Sequence, residues 1–241
     1  MGEVEFLSFP QAEALAAAAA ASWVEFVTQA RPDGRKFLIA ISGGRIMSAI
    51  LAAAVERAGE RPGAFGPVEF FWADERCVAP TNPESNFRMA DERFFQPLAI
   101  APTTVHRIHG EDDPAVAAET ATAELRGASG RPALPMLVLD LILLSMGEDG
   151  HVASLFPGDE RAAADMVSVY RSVNNSPKPP SCRVTLGYGP IIAARQVWVF
   201  ASGAGKVEAL RKSLSHSGAT PLGRLIRGRN LTRVYSDLEP G

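Results

Sequence analysis

The sequence predicts one α/β domain of the doubly wound type, a mostly parallel sheet with helices on both faces. Three observations predict it. Short apolar runs alternate with helix-length stretches along the 241 residues, the pattern of repeated βαβ units. The polar, glycine-bearing segments come directly after the apolar runs, where open parallel sheets place their ligand sites. A hydrophobic content of 46% against 21% charged residues is ordinary globular usage and supplies a sizeable core.

The elements follow in order. A strand at Val4–Phe9 leads into an alanine-rich helix ending near Ala30, alanine being the strongest helix former. A strand at Lys36–Ile41 runs into Ser42-Gly43-Gly44, and a helix spans about Ile46 to Ala58. The strand Val68–Trp72 is followed by a long polar loop to Asn82 and a helix over Glu84–Phe95. A short strand at Val105–Ile108 precedes a helix at Pro114–Leu125, whose proline suits a first helical turn. Leu137–Leu144 is apolar throughout except for Asp140, which predicts the most buried strand. It ends in Gly147-Glu148-Asp149-Gly150-His151. Strands at Met166–Tyr170 and Arg183–Leu186 flank a proline-rich loop, Ser176–Ser181. Gln196–Ala201 meets Gly203-Ala204-Gly205-Lys206 and a helix to about Ser215, and a last strand covers Thr232–Tyr235. No internal repeat or low-complexity linker divides the chain, so residues 1–241 read as a single domain.

Composition excludes several classes. A formal net charge of -3 argues against a nucleic-acid binder, which shows a basic excess. The two cysteines, Cys77 and Cys182, have neither metal-ligand spacing nor the number a disulfide framework needs, and read as free thiols in a reducing compartment. The alanine run Ala16–Ala21 is preceded by Glu3, Glu5 and Glu13, the wrong sign for a secretory signal. No apolar run reaches the ~18 residues of a membrane span. These readings predict a cytoplasmic protein; oligomeric state is not encoded in any legible way.

Four loops carry candidate chemistry. In Ser42-Gly43-Gly44, glycines between strand and helix let backbone N–H groups approach an anion at a helix N-terminus. The segment is neither a Walker loop nor a dinucleotide fingerprint, since Gly-Lys-Ser/Thr and the third glycine are missing. Asp74-Glu75-Arg76 follows Phe70-Phe71-Trp72, and taken alone three charges at a strand end read more simply as a solvated turn. Asp91-Glu92-Arg93 repeats the triplet inside a predicted helix, where it reads as a solvent face. In Gly147–His151, histidine has a pKa near ~6.5, suited to proton transfer at neutral pH. Asp149 can orient that imidazole or bind substrate. His106, His109 and His216 lack such surroundings, and no matching Cys or acidic set makes a metal site of them. Lys178, Arg183 and Lys206 form a cationic set: Lys206 opens a helix after a glycine turn, and Arg183 can grip phosphate oxygens with two N–H groups.

Together these segments resemble the 6-phosphogluconolactonase family along nearly the whole chain. The most specific match is Asp140-Leu-Ile-Leu-Leu-Ser-Met-Gly-Glu-Asp-Gly-His-Val-Ala-Ser-Leu-Phe-Pro-Gly158. Trp72-Ala-Asp-Glu-Arg-Cys-Val78 with Ser85-Asn86 is the second. Val105-His-Arg-Ile-His-Gly-Glu111, Ser176-Pro-Lys-Pro-Pro180 with Arg183-Val-Thr-Leu186, and Gly203-Ala-Gly-Lys206 complete it. The resemblance implies a Rossmann-like fold shared with glucosamine-6-phosphate deaminases and isomerases. It implies hydrolysis of 6-phosphogluconolactone in the oxidative pentose phosphate pathway, with no cofactor and no metal. By motif position His151 is the expected base, with Asp149 and Arg76 beside it in catalysis. Ser42, Gly43, Gly44, Arg45, Asp74, Arg183 and Lys206 are the expected substrate-binding residues.

Two departures stand out. The family usually reads Ser-Gly-Gly-Ser-Thr-Pro at the first loop, and here Arg45, Ile46 and Met47 take the last three positions. The usual Thr-Leu-Thr becomes Thr185-Leu186-Gly187. Arg45 can replace the lost hydroxyls by charge. The rivals are a sugar-phosphate deaminase or isomerase, which resembles this chain but places a carboxylate where Phe156 stands, and a non-catalytic sugar-phosphate binder.

Overall fold

The computed structural model describes residues 2–29, 34–130, 137–215 and 218–239; His216 lies outside them. A six-stranded, wholly parallel sheet forms the centre of the molecule. Its strands are β1 (Glu3–Ser8), β2 (Phe37–Ile41), β3 (Val68–Trp72), β5 (Leu141–Ser145), β8 (Gln196–Ala201) and β9 (Leu231–Ser236). They lie side by side as β1-β9-β8-β5-β2-β3. A second, antiparallel sheet has the order β4-β7-β6, from β4 (Asp74–Arg76), β6 (Tyr170–Val173) and β7 (Arg183–Leu186). Helices surround the sheets: α1 (Ala12–Thr28), α2 (Arg45–Gly59), α3 (Asn86–Ala90), α4 (Pro114–Ala128), which packs on β6 and β7 of the small sheet, α5 (Glu160–Ala164), α6 (Tyr188–Ala193), α7 (Val207–Leu214) and α8 (Pro221–Gly228).

The central strands are apolar because both faces are covered. All of β2 is buried, and so are the first four residues of β5, as a parallel sheet between helices demands. Helix α1 buries Leu15, Ala16, Ala19, Ala20, Trp23, Val24 and Val27, a stripe at helical spacing. Trp23 stacks on Phe94 with centroids 5.2 Å apart and meets Phe65 edge-on at 4.9 Å. Each such fully buried side chain contributes about 1.5–3 kcal/mol. Helix α4 starts where its sequence says it should: the Asp113 carboxylate accepts the N–H groups of Ala115 and Val116, and Pro114 fills the first turn. Among the described residues no helix is long and apolar enough to cross a membrane.

Several expected elements move. Val105–Ile108 is not a strand; only Val105 pairs, in a single bridge to Phe70. β5 begins at Leu141 rather than Leu137, because the Asp140 carboxylate takes the Leu38 N–H (2.9 Å) and the ladder starts beyond it. β6 begins where a strand was expected to end. Asp165 accepts the N–H groups of Val167 and Ser168 (3.1 and 3.0 Å), closing a turn over the predicted strand. Residues 74–76, expected in a loop, form β4, and α5, α6 and α8 were not anticipated. A π-helical turn, Asp91–Phe95, continues α3 within the expected helix.

Candidate active site

The loops after β2, β3, β5 and β8 meet over the carboxyl ends of the central strands and line a cleft of about 340 Å³. Parallel topology explains the convergence: every strand ends on the same side of the sheet.

The first wall is Ser42-Gly43-Gly44. Ser42 Oγ accepts the backbone N–H of Ser145 at 2.8 Å, which ties this loop to the end of β5. A Cβ on Gly43 would lie 1.8 Å from Asn86 Oδ1, so a side chain there would displace the buried amide that bonds the Asp74 carbonyl. Gly44 has φ +103°, a conformation that side chains resist. The first backbone bond of α2 is Ser48 N–H to Gly44 C=O (3.0 Å). The N–H groups of the preceding turn are left for other acceptors, and Gly44, Arg45 and Ile46 line the cleft.

The second wall is β4. Asp74 and Glu75 are buried, so the charged triplet is not a solvated turn. Glu75 accepts the N–H groups of Arg76, Asn86 and Phe87 (2.7–2.8 Å) and the Ser85 hydroxyl (3.0 Å), fastening α3 to the site. Burial nevertheless pushes its carboxyl above the usual range, against those bonds. Asp74 accepts from Ser154 Oγ at 2.6 Å and lies 3.9 Å from the Arg183 guanidinium. Arg76 donates through Nη1 to the Glu84 carbonyl (3.0 Å), while its buried Nε has no partner among the described residues.

The third wall is the turn after β5. Gly147 N–H bonds the His151 carbonyl (2.9 Å) and Gly150 N–H bonds the Gly147 carbonyl (3.0 Å). Gly150, at φ +80°, lets the chain reverse. The imidazole of His151 packs onto Gly147 so closely that a Cβ there would be 2.1 Å from Nδ1. Nδ1 is hydrogen-bonded to the Asp149 carboxylate, which also accepts the His151 backbone N–H at 3.1 Å. No protein group among the described residues bonds Nε2. Burial alone would raise the Asp149 carboxyl; the bond and charge of His151, with Lys178, outweigh it and bring it down to about 2. The Phe156 ring lies 4.8 Å from the imidazole.

Cations complete the cleft: Arg45, Arg76, Lys178, Arg183 and Lys206 line it, against the carboxylates of Asp74 and Glu148. Arg45, Lys178 and Lys206 have no carboxylate within ion-pair distance among the described residues. Burial lowers the Lys206 ammonium pKa and the nearby Arg45 charge lowers it further, with Glu148 and Asp237 opposing. Such a group is stabilised by an arriving anion. Arg183 differs from expectation. Its Nε and Nη2 donate to the carbonyls of Pro180, Lys178 and Pro179 (3.0–3.2 Å), and its Nη1 faces Ser154 and Asp74. Its Nε and Nη2 donors thus hold the proline loop, and only Nη1 is left for the phosphate contact expected of it.

The structure brings Ser42, Gly43, Gly44, Arg45, Asp74, Arg76, His151, Arg183 and Lys206 to one cleft. Asp149 stands behind the imidazole and is not part of the lining. Sequence reasoning did not single out Ser145 or Glu148, both of which line the cleft. Their signal was position, at the end of a buried strand and inside the acidic turn. Among the described residues no three His, Cys, Asp or Glu side chains gather as a metal site.

The model of the family described as glucosamine-6-phosphate isomerases/6-phosphogluconolactonase matches residues 10–233. A 6-phosphogluconolactonase of Streptomyces coelicolor is 31% identical over 216 residues, covering 86% of this chain and 81% of the relative. That of Mycobacterium tuberculosis is 32% identical over 218 residues, covering 89% and 86%. Among solved structures, the 6-phosphogluconolactonase of Trypanosoma cruzi superposes with a TM-score of 0.86 at 24% identity, over 98% of this chain and 96% of that one.

Proposed function

The chain belongs to the glucosamine-6-phosphate isomerase/6-phosphogluconolactonase family, and on that premise we propose that it hydrolyses 6-phospho-D-glucono-1,5-lactone to 6-phosphogluconate, the lactonase step of the oxidative pentose phosphate pathway. The observation that carries the reading is the Asp149–His151 pair at the edge of a cation-rich cleft. Asp149 occupies Nδ1, which fixes the tautomer and leaves Nε2 as the base. Nε2 accepts a proton from water as the water attacks the lactone carbonyl. Arg76, lining the same cleft, supplies positive charge to the developing oxyanion. The imidazolium then returns its proton to the ring oxygen as the C–O bond breaks, which restores the neutral base. The phosphate sits toward the first turn of α2 with Arg45 and Lys206, remote from the carbonyl, and orients the ring. Charge at Arg45 takes over from the hydroxyls that the family usually carries in this loop. Proton transfer for deamination or isomerisation has no carboxylate at Phe156, whose ring instead packs against the imidazole.

His151→Ala tests the reading. Freshly prepared lactone is followed above its spontaneous hydrolysis. The expected outcome is loss of turnover by at least the ~10²–10⁴-fold that a positioned base contributes, with an unchanged melting curve. Undiminished turnover in the variant removes His151 from the mechanism.

A further inference from the structure

Ser145 is the last residue of β5; its N–H donates to Ser42 Oγ, and it stands opposite Phe200 of β8. Ser145 Oγ is shielded from solvent and has no hydrogen-bond partner among the described residues. An unpartnered hydroxyl is unusual in a folded protein and calls for a reason. The residue as a whole is only half-buried and lines the cleft, so rotation about χ1 carries the hydroxyl from its shielded position to the open side. Such rotation in a serine connects staggered wells of similar energy. Across the gap stands Gly44, where a Cβ would come within 3.5 Å of Oγ. The absent side chain at 44 leaves a passage from the hydroxyl to the first turn of α2. The other groups on that side, Arg45 and Lys206, are cations without a carboxylate partner among the described residues, so an arriving ligand there carries acceptor oxygens.

We propose that Ser145 is a substrate-positioning residue, its hydroxyl turning from the partnerless place beside Gly44 to donate a hydrogen bond to the bound sugar phosphate. The inference rests on the reading of this cleft as the phosphorylated-lactone site. It assigns the hydroxyl a ligand-bound partner and no structural one, and the two roles separate experimentally. In Ser145→Ala, the ligand-free protein melts within about 1 °C of wild type, since no protein hydrogen bond is lost. The lactone KM rises about tenfold, the worth of one hydrogen bond to a charged acceptor, while kcat stays within about twofold. A readout free of turnover is the thermal shift given by 6-phosphogluconate, which shrinks in the variant. Equal KM and equal shift in the two proteins overturn the proposal. A lower melting temperature of the ligand-free variant overturns it too, because the hydroxyl then has a structural partner. If wild type hydrolyses no lactone yet 6-phosphogluconate still stabilises it in a Ser145-dependent way, the activity reading fails and the positioning role stands.

Discussion

Asp149 holds His151 by one nitrogen, and that single contact decides what the imidazole is able to do. With Nδ1 committed, Nε2 is the ring nitrogen left for the proton transfer proposed above. Asp149→Asn keeps the shape but removes the charge that stabilises an imidazolium, so kcat is expected to fall by at least about 10²-fold with little change in KM; steady-state kinetics on the lactone measure both. The same contact makes a stability statement. The Asp149 carboxyl is brought from its ordinary 3.8 down to about 2. A depressed carboxylate stabilises the fold at any pH above its unfolded value, and the contribution disappears as pH falls through the folded value. Thermal melts of wild type are therefore expected to lose stability between about pH 4 and pH 2 more steeply than those of Asp149→Asn. Parallel curves would show that the pair does not couple to folding. Arg183 gives the opposite lesson at this scale. Three of its donors, on Nε and Nη2, are held by carbonyls, which leaves only Nη1 for a ligand in the cleft.

Among the elements, the turn that follows β5 is the one whose geometry leaves least freedom. Gly147 is bare because the imidazole occupies the space of its side chain. Gly147→Ala is expected to displace His151 from Asp149, lowering kcat/KM by at least about 10²-fold, as misplacement of a reacting group does. The accompanying stability loss should be no more than about 1–3 kcal/mol, typical of overpacking. Kinetics and melts on one preparation check it, and full activity would show that the ring has room to retreat. The glycines and the histidine of this turn were legible because each residue type serves a local need. β3 and β8 were legible from apolar runs and β7 from its short β-like sequence, and all three match residue for residue. β4 was not: its alternation is Asp, Glu, Arg, and its pairing with β7 is a contact across more than a hundred residues. α6 begins at Tyr188-Gly189-Pro190, residues that argue against a helix until tertiary packing selects one. The turn at Asp165 was missed for a similar reason, since a carboxylate that captures two N–H groups outcompetes the strand that Val167 and Val169 suggest.

The whole molecule is two sheets that share a joint, and the joint is part of the site. The chain leaves the large sheet at Trp72 and enters the small one at Asp74. The Asp74 carboxylate there reaches Ser154 in the segment after β5 and Arg183 on β7, while its carbonyl accepts from Asn86 Nδ2 at 2.8 Å. Asp74, expected to bind substrate, lines the cleft, and its contacts also tie the walls of that cleft to one another. Its partner Arg183 is equally buried, and burial lowers the guanidinium pKa while Asp74 opposes the fall. Removing one member of a buried pair strands the other, at a cost of about 3–5 kcal/mol. Asp74→Ala is therefore expected to lower Tm by roughly 6–20 °C, at about 2–4 °C per kcal/mol for a chain of this length. Adding Arg183→Met to it should recover part of that loss, because the unpaired charge is gone. Calorimetry on the two variants and wild type decides the matter. Should Asp74→Ala melt with wild type and lose only affinity for lactone, the carboxylate belongs to the substrate and the joint is held by the β4–β7 ladder alone.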